Sequence, residues 1–160
     1  MQYFDSALSE QTFTVIGSRL KAEIEGARRR LHAITDEQAG KPRAAGKWSR
    51  KQILGHLIDS AANNHQRFVR AQAAAELRLP GYAQEQWVAS QRYDERRWTE
   101  LIEFWSAYNG HLAHVIARIP ESLRDTPCAI GDSPVVTLSF VALDYVGHIQ
   151  HHLRQIFEHP

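Results

Sequence analysis

Cysteine is almost missing from this 160-residue chain: Cys128 stands alone, which rules out an internal disulfide and a thiolate metal cluster. Any bound metal would rely on histidine and carboxylate. No run of about 18 apolar residues offers a membrane span. Met1-Gln2-Tyr3-Phe4-Asp5 lacks the basic and apolar regions of a signal peptide, so a cytoplasmic chain without a membrane partner is expected. A charge excess is missing too. The formal net charge of +1 gives no electrostatic case for nucleic acid as a partner. There is no Gly-x-Ser-x-Gly elbow, P-loop, dinucleotide fingerprint or His-Glu-x-x-His, which removes the serine-hydrolase, nucleotide-binding and zincin readings. With 43% hydrophobic and 23% charged residues, the composition is that of an ordinary globular chain, expected to form one domain over residues 1–160.

What is present is helical periodicity. Phe13, Ile16, Leu20, Ile24, Ala27, Leu31 and Ile34 recur at intervals of three and four, predicting a first helix over about 10–34. Thr35-Asp36-Glu37-Gln38 can start a short extra turn. Ser49-Arg50-Lys51-Gln52 is a capping box, from which a second helix should run through Ile53, Leu57, Ala61, Asn64 and Phe68 to about Leu79, where Pro80-Gly81 stops it. A third helix reads from about Asp94 through Trp98, Leu101, Ile102, Trp105, Leu112 and Val115 to Ile119. Three prolines and Gly131 mark 120–136 as a loop with a helical turn at Glu121-Ser122-Leu123. Thr137 then caps a fourth helix whose apolar side is Leu138, Val141, Tyr145, Ile149, Leu153 and Ile156. Four long helices and no convincing strand predict an all-α four-helix bundle. The long 80–97 and 120–136 connections leave room for crossovers.

On the fourth helix His148 and His152 lie one turn apart, which places two imidazoles close enough to share a cation. A third ligand from another helix would complete the site, and His56 in the second helix is the candidate. Imidazole suits zinc, nickel, copper and iron, and three protein ligands leave positions for water or substrate. Helical projection puts Gln155 about 20° from His148, and Asp144 stands one turn before it as a candidate acceptor for a ligand's free ring nitrogen. On the second helix Asn63 lies about 20° and Asp59 about 60° from His56, a polar strip in an apolar segment. An i, i+4 histidine pair also arises without metal, and spacing alone leaves ligation and ordinary packing in balance. His65 projects opposite His56 and is expected to be solvated. His111 and His114 lack a carboxylate at ligand spacing, His151 lies off the pair's axis, and His32 and His159 near segment ends should face solvent. Cys128, in a proline-rich loop without a base, is expected to be inert. Trp98 and Trp105 belong to core stripes, and Trp48 is placed as a staple ahead of the second helix.

Trp48-Ser49 at a helix start, Gly55-His56-Leu57-Ile58-Asp59 within it, and Asp144-Tyr145-Val146-Gly147-His148 followed by His151-His152-Leu153-Arg154-Gln155-Ile156 resemble the DinB/YfiT superfamily of metalloenzymes over nearly the whole chain. The resemblance implies a bundle with up-down-down-up connectivity and a divalent metal, nickel or zinc, held by His56, His148 and His152. It also implies two kinds of activity, metal-dependent hydrolysis and transfer of a low-molecular-weight thiol to small electrophiles. A metal with open positions can activate water or an incoming thiol. The expectation leans to thiol transfer, since a hydrolase benefits from a base and the ligand face carries no carboxylate beyond Asp144. Asp59 is the candidate base that keeps hydrolysis close behind. A non-catalytic, dimeric bundle that binds a metal or small ligand is the alternative of another class.

Overall fold

Among the described residues, four of the six α-helices begin at a Thr or Ser whose hydroxyl accepts from a backbone amide of the first turn. In the computed structural model, which describes residues 10–158, α1 (Phe13–His32) starts at Thr12, whose hydroxyl accepts from Val15 N, and α2 (Asp36–Gly40) is the short turn foreseen after Thr35. His159 lies outside the described residues. The capping box at Ser49 forms: Gln52 N donates to Ser49 Oγ at 3.2 Å and Ser49 N to Gln52 Oε1 at 2.9 Å. It opens α3 (Arg50–Ala71). Then come β1 (Leu77–Leu79), α4 (Gln84–Gln91), a 3-10 turn at Tyr93–Glu95, and α5 (Trp98–Ala117). A second 3-10 turn at Glu121–Leu123, β2 (Pro127–Ile130) and β3 (Val136–Thr137) lead into α6 (Leu138–Phe157), capped by Thr137.

The long helices form the four-helix bundle. Both α1 and α3 pack against α5 and α6, so the pairs α1/α3 and α5/α6 lie on diagonals. Contacts give the directions. Gly17 near the start of α1 meets Ala113 and Ala117 near the end of α5, and Arg28 pairs with Glu103 at 2.8 Å, so these helices run antiparallel. Ser49 Oγ at the start of α3 donates to Asp94 Oδ1 just ahead of α5 and His65 further along meets Tyr108 and His111, so these two run parallel, while Arg50 Nε donates to Ile156 O at 3.0 Å, setting α3 antiparallel to α6. The connectivity is up-down-down-up. A Cβ at Gly17 would collide with the α5 backbone, so this glycine sets how closely α1 and α5 approach. The α1 stripe from Phe13 to Leu31 is buried, as are Trp98 and Trp105, as their spacing predicts.

Two expectations fail together. The second long helix ends at Ala71, not Leu79, and the 120–136 segment is not all loop, because Leu77–Leu79 pairs in parallel with Cys128–Ile130 and β3 adds antiparallel to β2. Each strand is too short to show a period of two, and β1 finds its partner only in β2, about fifty residues later. Cys128 sits buried in β2, where burial pushes its thiol up to about 11, so it is protonated at neutral pH.

Candidate metal centre

The antiparallel α3/α6 pairing brings His56, His148 and His152 together, with one ring nitrogen from each lying within 4.8 Å of the other two. His56 is fully buried; His148 and His152 are partly exposed. His56 Nε2 and His148 Nε2 lie 3.0 Å apart, and the three ring centroids are 4.5 to 5.0 Å from one another in edge-on arrangements. Two nitrogens about 2.1 Å from one ion and roughly a right angle apart would be separated by about 3.0 Å, so the spacing fits a shared cation.

Burial drives all three imidazoles to the neutral form that a metal requires. Desolvation, with His152 nearby, takes His56 down to about 3. Desolvation and the neighbouring histidines take His148 to about 2, and desolvation takes His152 to about 4 against an opposing hydrogen bond from Gln155. Their outer nitrogens are then positioned by neighbours. His152 Nδ1 donates to Gln155 Oε1 at 3.0 Å while Gln155 Nε2 donates to His151 Nε2 at 2.8 Å, an order that leaves the lone pair of His152 on Nε2. The hydroxyl of Ser60, one turn beyond His56, lies 3.3 Å from His148 Nδ1. Arg43 and Arg50 donate to the carbonyls of Gln155 and Ile156, anchoring the end of α6 beside the triad. His56 Nδ1 is buried without a hydrogen-bond partner among the described residues.

A cavity of about 720 Å³ opens from His148 and His152 along the α3/α6 groove. Its α3 wall carries Ser60, Asn64 and Arg67, and its α6 wall Asp144 and Tyr145. The sheet supplies the remaining side: β1/β2 pairing sets Gly81-Tyr82 beside Gly131, whose φ of 55° and close approach to Gly81 suit only glycine. The polar strip on α3 is thus more extensive than Asn63 and Asp59 suggest. Ser60 and Arg67 fall on the His56 face by helical spacing and are missed only for lack of a reason to choose them. Tyr82 and Gly131 have no sequence signal linking them to the histidines.

Other candidates go elsewhere. Asp59 does not line the cavity; one of its oxygens accepts from Tyr93 Oη at 2.6 Å and from Gln91 Nε2, fastening the α4 segment to α3. Asn63 Nδ2 donates to Asp59 O within α3. His65 is half-buried rather than fully solvated: the opposite face of α3 packs on α5, where His65 Nδ1 meets Tyr108 Oη at 3.1 Å. His111 and His114 are exposed, and His32 pairs with Glu103 on the surface. Trp48 packs beside the site, its ring 5.4 Å from that of His56.

A helical bundle that brings three neutral histidines together, two of them lining a cavity, is the kind of scaffold on which facing helices can hold a metal ion. The chain belongs to the DinB superfamily, whose model matches residues 19–156. Two relatives each carry the name "putative metal-dependent hydrolase". YfiT of Bacillus subtilis is 28% identical over 92% of this chain and 80% of its own length. OB0413 of Oceanobacillus iheyensis is 23% identical over 79% and 72%. The solved structure of Bacillus subtilis YfiT, described as "a probable metal-dependent hydrolase with an unusual four-helix bundle topology", superposes with a TM-score of 0.78. At 18% identity over 99% of this chain and 89% of that one, this likeness establishes the shared fold. Among the described residues, no helix is long and apolar enough to cross a membrane.

Proposed function

We propose that this chain is a metal-dependent hydrolase of a small molecule, with His56, His148 and His152 as the ligands of a zinc or nickel ion. The observation that supports it most is the convergence of three neutral imidazoles, two of which, His148 and His152, line a polar cavity. Among the described residues no carboxylate joins the three histidines, and three protein ligands would leave coordination positions for water or substrate. The chemistry such an ion supplies is Lewis acidity, which polarises a carbonyl and acidifies water. Gln155 and Ser60 hold His152 and His148 in the ligating orientation. Asp144, on the cavity wall one turn from His148, is the carboxylate placed to take a proton from water; Asp59 is engaged with Tyr93 and Gln91 outside the cavity. Asp144 therefore takes the role of base for which Asp59 is the candidate in the sequence, and the names of both relatives point to hydrolysis.

Thiol transfer is the second reading, supported by the cavity's size. A volume of about 720 Å³ can hold a thiol and a small electrophile together. The deciding experiment loads purified protein with zinc or nickel and assays ester and amide cleavage beside consumption of low-molecular-weight thiols, with His148→Ala as control. Metal-dependent cleavage without thiol consumption supports hydrolysis. Metal-dependent thiol consumption without cleavage would replace it with transfer.

A further inference from the structure

Arg67 is the only Lys or Arg among the described residues lining the cavity. Eleven residues beyond His56, it falls about 20° from the same helix face. Ser60 is level with His148, and Arg67 follows it by seven residues, or about 10 Å of helix rise. Helical side chains lean toward the N-terminus, which brings the guanidinium back toward the histidine end. Burial disfavours its charge, with Tyr82 and Asp144 opposing that effect, yet the side chain makes one hydrogen bond among the described residues, to Asn64 Oδ1 at 3.2 Å. A guanidinium has five N–H donors in a planar fork, so a partly buried one with a single protein acceptor has unused directional capacity inside the cavity.

From this placement we propose that Arg67 binds a carboxylate of the substrate within the cavity, about two helical turns along α3 from Ser60, so that the molecule acted on is a small carboxylate-bearing compound whose reacting group lies at the triad. Asp144 and Asp132 on the same cavity set the charge of that anion. One guanidinium facing two carboxylates accommodates a monoanion more readily than a phosphate dianion, which the aspartates would repel. Asn64, held by its own bonds to Ser60 O and Oγ at 2.9 and 3.3 Å, presents its oxygen to Arg67 and keeps the fork in place. This inference rests on the metal-site reading for the position of the reacting group, while Arg67's role as an anion receptor is independent of it.

The test uses calorimetry with the α,ω-dicarboxylates from malonate to suberate, each beside the monocarboxylate of equal length, on zinc-loaded protein. One longer dicarboxylate should bind about 10–100-fold tighter than its monocarboxylate, the range of one charge-assisted pairing. Arg67→Gln should remove that advantage without changing zinc content, and Arg67→Lys should keep part of it and report on folding. An equal preference for the dicarboxylate in zinc-loaded Arg67→Gln overturns the proposal and leaves the metal reading standing. If the wild-type protein takes up no zinc, the metal reading fails and the series is run on metal-free protein. There, weaker binding by Arg67→Gln than by wild type supports the anion site, and equal binding overturns it.

Discussion

His56 and His148 face each other through Nε2 atoms 3.0 Å apart, though 92 positions separate them in the chain. Without an ion, one of those nitrogens must donate to the other; with one, both lone pairs can serve the same cation. Alanine at His56, His148 or His152 should therefore lower zinc or nickel affinity by more than the roughly 10–100-fold expected for a residue that only supports a ligand. His65→Ala and His111→Ala, on the other face of α3 and on α5, should leave it unchanged. Metal analysis of the five proteins checks this, and full occupancy in all three triad variants would remove the assignment.

Support around the ligands yields a graded expectation. Gln155→Leu deprives His152 Nδ1 of its acceptor and should weaken metal binding about 10–100-fold with the fold intact. Ser60→Ala should do the same through His148, and comparing it with Asp144→Asn shows which neighbour directs that ring. If Asp144→Asn alone lowers affinity, the carboxylate and not the hydroxyl orients His148.

The ring of Tyr93 occupies the space a Cβ on Gly55 would take, directly before His56. Gly55→Ala must push Tyr93 away and with it the bond to Asp59. The expected destabilisation is about 1–3 kcal/mol from overpacking, with more if the buried carboxylate is stranded. Denaturant unfolding of Gly55→Ala and Tyr93→Phe measures both. A Gly55→Ala protein as stable as wild type would show that the α4 segment is not held by this contact.

Acidification should loosen the metal-free protein before ordinary carboxylates titrate. Each triad histidine has a folded pKa below the unfolded value of about 6.5, so the unfolded chain binds protons first. Stability is then complete above that value and falls as pH drops toward about 4, by up to about 1.4 kcal/mol per pH unit for each imidazole. His65, also lowered, acts in the same sense, while Asp59, raised by burial, acts in the opposite one. Unfolding in chelator between pH 7 and 5 should show a slope that His148→Gln reduces by about one proton. An unchanged slope would mean His148 is protonated in the folded state.

The four long helices, the caps at Ser49 and Thr137 and the histidine pair were legible in the sequence, because periods of three and four, a Ser-x-x-Gln box and i, i+4 spacing are local properties of consecutive residues. His56 was legible as the candidate third ligand, a histidine in a second apolar helix, and resemblance to the superfamily selects the same residue. Ser60, Asn64 and Arg67 lie on the same polar strip as His56, yet only the approach of α6 shows that they face a cavity. The three-stranded sheet was not legible: strands of two to four residues carry too little periodicity, and β1 is stabilised by β2 about fifty residues later. What tertiary structure alone decided is where Asp59 and Asp144 point, one fastening α4 and the other lining the cavity. Helical spacing gives an angle about one axis; which angle faces a neighbour, solvent or a cavity depends on how the helices pack together.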